Sequence, residues 1–304
     1  MLRLILNRLL TAIPTLGAVL IASFLLMRFA PGGPFDGERP LDDATRAALE
    51  ASYGLDLPLW QQLTGWLGRV ITGDFGPSLV YRDFTVTQLV AQGLPTSMLL
   101  GLGAIILALL LGLALGIRAA LNPGGRADIW LMLLATMLTA LPTFVTGPLL
   151  VLLFAVTLGL LPLGGTGSAL HWVLPVIALS LPVAGAIAKL VRAALADLWQ
   201  RDAIRTARAR GLSRFAILRR HALRPAMVPV VSYLGPAAAG LLTGAVVIET
   251  VFGLPGLGRY FVQGALNRDY PLIMAVVLIY AVLIIVFNLI ADLLYAWLDP
   301  RVRG

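Results

Sequence analysis

Six apolar stretches, each long enough to cross about 30 Å of hydrocarbon, constrain this chain more than any other feature of it. They cover residues 9–29, 98–117, 129–161, 172–191, 228–248 and 272–297. Hydrophobic residues make up 59% of the chain and charged residues 12%. A soluble fold of this length has no interior for that much apolar surface, which excludes a cytosolic enzyme and a disordered chain. Cysteine is absent, so disulfides, haem attachment and thiolate metal sites are excluded too. The third stretch is long for one crossing and short for two. With Pro142 and Pro148 inside it, the expectation is a single kinked or tilted helix.

Charge gives an expected orientation. The first stretch follows Arg3 and Arg8 as a signal peptide would. Its apolar part exceeds a signal peptide's, and no small-x-small cleavage site follows, so it reads as a retained helix with a cytoplasmic N-terminus. On that threading 16 Lys/Arg fall inside and 7 outside, whereas 5 acids fall inside and 10 outside. The net charge of +8 is therefore the positive-inside bias of a multi-spanning protein rather than a nucleic-acid surface. Six crossings return the C-terminus to the same side, where Arg301 and Arg303 agree.

Two segments exceed what spanning requires. The outer one, 30–97, contains an amphipathic stretch at 42–53 with Asp42 as N-cap. A second stretch follows at 58–71, where Trp60 and Trp66 suit an interfacial helix. The inner one, 202–223, carries six arginines between Arg205 and Arg220. It reads as a helix ending at Gly211, then a second helix over 214–223 capped by Ser213, with Pro225 leading to the next crossing. Ala203, Thr206, Ala207 and Ala209 leave room for another protein, and Phe215, Ile217 and Leu218 offer apolar anchors. A basic loop resting on anionic lipid is the alternative. Lipid does not require a small-residue face or a glycine at a fixed place.

Chemistry-bearing motifs are scarce. The sequence has no G-x-x-x-x-G-K-[ST], H-E-x-x-H or G-x-S-x-G. His171 falls at the outer end of the fourth crossing. His221 falls in the basic segment, suited to a partner or a headgroup. Ionisable residues in the spans sit near their ends. Arg28, Lys189 and Arg192 are long enough to snorkel. Glu249, and Asp292 one turn from Asn288, are either helix-packing or gate residues. A carrier driven by protons or sodium would usually place a carboxylate at mid-membrane, so energy from a separate chain is expected. Small residues over 237–245 suit close packing or a pore face.

The segment Arg205-Thr-Ala-Arg-Ala-Arg-Gly211, with Leu218-Arg-Arg-His-Ala-Leu223, resembles the cytoplasmic coupling motif of ABC importer permeases, in the form of their peptide and nickel branch. Ala207, Gly211 and Leu223 match the general motif, whereas Arg205, Thr206, His221 and Arg224 depart from it. Further runs carry the resemblance along the whole chain. They include Arg28-Phe-Ala-Pro-Gly-Gly-Pro-Phe-Asp-Gly-Glu-Arg39, Gly73-Asp-Phe-Gly-Pro-Ser78 and Thr243-Gly-Ala-Val-Val-Ile-Glu-Thr250. Gly253-Leu-Pro-Gly-Leu-Gly258, Gly264-Ala-Leu-Asn-Arg-Asp-Tyr-Pro271 and Asp292-Leu-Leu-Tyr-Ala-Trp-Leu-Asp-Pro-Arg-Val-Arg303 belong to the set, as do Ile13-Pro-Thr15, Tyr81-Arg-Asp-Phe-Thr-Val86 and Ser232-Tyr-Leu-Gly-Pro236. The B-type oligopeptide permeases look most similar. Dipeptide, glutathione and nickel importers are the alternatives within the family.

The resemblance implies an all-α integral membrane protein of the type I ABC importer permease fold. Six transmembrane helices and cytoplasmic termini are expected, in a multi-pass protein of a bacterial inner membrane. Residues 1–92 would form the first helix and outer segment, 93–299 the permease domain, and 300–304 a tail. Implied partners are a homologous second permease, two ABC ATPase subunits, an extracytoplasmic peptide-binding protein and membrane lipid, with no nucleic acid. The chain itself would hold no cofactor, and ATP and Mg would belong to the ATPases. Arg205, Thr206, Ala207, Gly211, Leu212, Phe215, Leu218, His221 and Leu223 would meet an ATPase. Gly253, Pro255, Gly256, Gly258, Asn267 and Asp269 would meet the binding protein. Outside the family, an ion-coupled carrier or a non-transporting scaffold would have to explain the same segments.

Overall fold

A computed structural model describes residues 2–29, 32–33, 35, 42–81 and 83–298. The Asp36–Arg39 end of one family run, and Arg301 and Arg303, lie outside the described residues. Among those described the chain is helical, with one isolated bridge between Pro77 and Thr85. Twelve α-helices follow in order: α1 (Leu2–Phe29), α2 (Asp43–Ser52), α3 (Leu59–Ile71), α4 (Val86–Ala120), α5 (Arg126–Ala140), α6 (Thr143–Leu150), α7 (Val173–Leu198), α8 (Asp202–Ala209), α9 (Arg214–Ile217), α10 (Leu223–Val251), α11 (Leu257–Asn267) and α12 (Tyr270–Leu298). Five helical segments are long and apolar enough to cross a membrane, and α5 with α6 and its extension make a sixth if that bent pair is one span.

The third apolar stretch corrects the expectation of one kinked helix. It is two helical segments bent by 103°. Leu141 is extended (φ −80°, ψ 119°), as the residue before a proline prefers. Pro142 then opens α6, accepting from the Val145 and Thr146 amides at 3.0 and 3.1 Å. Pro148 lies within α6, which continues as a wide π-turn over Val151–Thr157.

The chain divides into two compact units. One comprises Leu9–Ser97 with Pro255–Leu283. Here Val86, Leu89 and Val90 of α4 pack on Leu257, Leu272, Ala275 and Val276. Tyr260 of α11 crosses Gly93, where an added methyl would come within 2.9 Å of its ring, and the Leu257 amide donates to Ser97 Oγ at 2.8 Å. These contacts explain why α4 begins twelve residues before its apolar stretch. Its polar first turns are helical because α11 covers them. Asp42 caps α2 as expected, accepting from the Thr45 amide at 3.1 Å. Of the two interfacial tryptophans, Trp60 is exposed. Trp66 instead turns inward against Leu20 and Met274.

The other unit comprises Met98–Leu254 with the described parts of Met1–Arg8 and Ile284–Gly304. Its axis is α7, 56% of whose spanning window is buried, against 11% for α1 and 22% for α12. Small residues admit α7 on two sides. Methyl groups at Gly112 and Gly116 of α4 would fall 2.8 Å and 2.6 Å from the Ala184 and Ala188 carbonyls, so the backbones themselves are in contact. On the other side Gly185 faces α5.

Candidate functional site

The basic segment folds as a helical elbow. α8 ends where Gly211 (φ 79°) takes the left-handed conformation that a side chain resists. The Gly211 amide returns to the Arg208 carbonyl at 2.9 Å and the Leu212 amide to the Ala207 carbonyl at 3.2 Å, closing the last turn. Ser213 Oγ then accepts from the Ala216 amide at 3.3 Å and starts α9. The second arm departs from expectation. α9 lasts four residues, passes through a π-turn at Leu218–Ala222, and runs straight into α10. Pro225 is therefore no exit from the segment. It lies within the continuous helix Arg214–Val251, three residues past the π-turn.

Burial sorts the candidate coupling residues. Ile204, Ala207, Ile217, Leu218 and Ala222 are buried with Leu195, Leu198 and Trp199 of the α7 end, and Leu212 packs against them. Two polar contacts add to this grip. Arg214 Nη1 donates to the Leu121 carbonyl at 2.9 Å, and the Arg208 guanidinium stacks 5.3 Å from the Trp199 ring. Ala207, Ile217 and Leu218 are thus internal, not the docking contacts their sequence suggested. Arg205, Thr206, Gly211, Phe215 and His221 are exposed, and Leu223 is half-buried. Phe215, 70% exposed among cationic neighbours, is the apolar point of the elbow.

Charges behind the elbow are bonded to neighbouring helices. Arg192 grips Asp128 with Nε–Oδ1 at 3.0 Å and Nη2–Oδ2 at 2.5 Å, and the Gly124 amide donates to the same carboxylate at 2.9 Å. Lys189 Nζ donates to Thr139 Oγ1 at 2.8 Å. Both cations join α7 to α5. The sequence reading missed Asp128, although an acid in the first turn of a helix is a visible signal.

Of the gate candidates, Asp292 forms an ion pair with Arg8 at 2.6 Å. Asn288 donates Nδ2 to the Ile284 carbonyl at 2.8 Å, and its amide fills the place a side chain at Gly235 would need. Glu249 is fully buried, and its carbonyl accepts from the Leu254 amide at 2.8 Å.

The binding-protein candidates divide. Gly253, Pro255 and Asn267 are exposed, whereas Gly256, Gly258 and Asp269 are buried. Asp269 corrects its expectation most clearly. Its carboxylate accepts from the Ser78 hydroxyl, from the Val80 amide at 3.3 Å and from the Leu272 amide at 3.3 Å, capping α12. Ser78 Oγ in turn accepts from the Tyr81 amide at 2.8 Å. Two family runs, Gly73–Ser78 and Gly264–Pro271, therefore meet in one buried joint, a pairing their separation of 191 residues concealed.

Comparison with known proteins agrees with this architecture. A family model described as binding-protein-dependent transport system inner membrane component matches residues 108–304. The oligopeptide transport system permease protein OppB of Haemophilus influenzae is 46% identical over the full length of both chains, and that of Escherichia coli K12 is 47% identical. The dipeptide transport system permease protein DppB of Bacillus subtilis is 42% identical over 95% of this chain and 94% of its own. Among solved structures, the inward-facing MetNI methionine ABC transporter matches with a TM-score of 0.53 at 18% identity, covering 70% of this chain and 96% of that one. An amino acid ABC transporter matches equally well, at 19% identity. The chain belongs to the family of binding-protein-dependent transport system inner membrane components and carries the all-α, multi-pass fold of type I ABC importer permeases.

Proposed function

We propose that this chain is one of two permease subunits lining the pathway of an ATP-driven oligopeptide importer in a bacterial inner membrane, with both termini in the cytoplasm. The observation that carries the reading is the elbow. Buried Ile204, Ala207, Ile217 and Leu218 tie it to α7 and to the start of α10, while Phe215 and the arginines stay outside. A cationic knob with one apolar point suits an acidic cleft on a separate ATPase, where ATP and Mg would bind. Because α9 continues into α10 without a loop, movement of the knob is delivered to a membrane helix as a rigid lever. The exposed Gly253, Pro255 and Asn267 are the remaining candidates for contact with a peptide-delivering protein. Full-length similarity to OppB supports oligopeptides as cargo.

The test is reconstitution of the complete complex in vesicles with an ATPase, a second permease and a binding protein. ATP-dependent uptake of peptides several residues long, with little regard to sequence, is expected. Uptake driven by a proton gradient without any ATPase would refute the reading. Similarity to DppB supports a second reading, dipeptide import. Uptake of dipeptides alone would favour it.

A further inference from the structure

A cavity of about 540 Å³ lies within the Leu9–Ser97 and Pro255–Leu283 unit, between the end of α1, the α2–α3 turn, α3 and the start of α12. We infer that it binds one anionic phospholipid, with the phosphate held by Arg28 and Arg69 and an acyl chain along the apolar wall. The volume falls within the range of small-molecule sites.

The polarity of the cavity follows membrane depth. Arg28 lies next to the end of the Ile5–Phe29 span and Tyr270 opens the Tyr270–Leu298 span, so this part of the cavity stands at headgroup level. Phe24 and Met274 lie four residues further along their helices, about 6 Å deeper, at acyl level. A cationic rim above an apolar wall is the complement of an amphiphile. Inorganic phosphate would leave the wall unused, and a neutral apolar molecule would leave the cations unused.

The rim is also preorganised. Arg28 Nη2 donates to the Leu55 carbonyl at 2.5 Å, and its guanidinium lies 5.9 Å from the Tyr270 ring centroid. Among the described residues no Asp or Glu lines the cavity. A guanidinium with donors to spare matches phosphate oxygens in geometry. On the wall, Trp66 packs with Phe24, Met27 and Met274, an apolar surface that suits an acyl chain. A peptide would bring an ammonium group that both arginines oppose, whereas phosphatidylglycerol has none.

The experiment uses the full-length chain with its co-purifying subunits in phosphatidylcholine nanodiscs containing a trace of phosphatidylglycerol with a photoactivatable acyl chain. Crosslinks are mapped by mass spectrometry. The expected result is labelling of the peptides carrying Phe24 and Trp66, several-fold above that from the matching phosphatidylcholine probe. Arg28→Gln and Arg69→Gln each reduce it toward the phosphatidylcholine level, and Arg69→Lys retains most of it. Arg69→Gln keeps the test decisive if loss of the Arg28–Leu55 bond impairs folding. Equal labelling by the two lipids would overturn the inference. So would displacement by inorganic phosphate, which would mark a bare anion site, or by an apolar peptide, which would mark a cargo site.

Discussion

The elbow at 202–222 and the segment from Gly253 to Tyr270 look alike in sequence. Each is a glycine-punctuated run that matches its family closely, and each suggests contact with a partner. Their structures differ. In the elbow most charged residues face outward and five apolar residues grip the interior. In the second segment Gly256, Gly258, Gly264 and Asp269 are buried, and the polar chemistry is spent on an internal joint with Ser78. A strong family run thus marks a surface in one place and a structural seam in another, and burial separates the two.

That contrast can be broken by substitution. Asp269→Ala should have the largest effect on folding. It leaves the Ser78 hydroxyl and the Val80 and Leu272 amides without their acceptor, at a cost of about 3 kcal/mol. Thermal unfolding of the detergent-solubilised complex should show it. Unchanged stability with impaired delivery of peptide would return Asp269 to the surface role it was first expected to have.

Phe215→Ala should do the reverse. The side chain is mostly exposed, so unfolding should shift by no more than about 0.5 kcal/mol. Peptide uptake per ATP hydrolysed should fall about tenfold, near 1.4 kcal/mol of lost coupling. Normal uptake would remove Phe215 from the elbow's working face. Smaller still, Ser213→Ala should cost about 1 kcal/mol through the lost cap of α9, visible in unfolding and as partial uncoupling. Arg205→Gln should change stability least, by less than about 0.5 kcal/mol. Its contact with Asp202 is long, 3.8 Å, and both side chains are exposed.

What the sequence reveals follows the range of the interactions. Gly211 and Ser213 were legible because turn and cap chemistry acts within four residues. The six apolar stretches were legible because hydrocarbon demands length. The inward direction of Ala207 and Leu218 was not, since it depends on Leu195 and Trp199 on another helix. Pro142 marked the site of the break in the third stretch, but its 103° angle is set by how α5 and α6 pack on α7 and α10. The seam between Ser78 and Asp269 spans most of the chain, and each half alone resembles a loop. Gly112 and Gly116, a glycine pair four residues apart, drew no reading from sequence, and only the structure identifies α7 as the helix they admit.

The account rests on the elbow touching a separate ATPase. The chain has no cysteine, so Thr206→Cys and Phe215→Cys each place one reactive thiol on it. Crosslinking in the assembled complex should join both positions to an ATPase subunit, with an efficiency that changes on ATP binding. Labelling of either position by a lipid-phase or external reagent, with no ATPase adduct, would contradict the account.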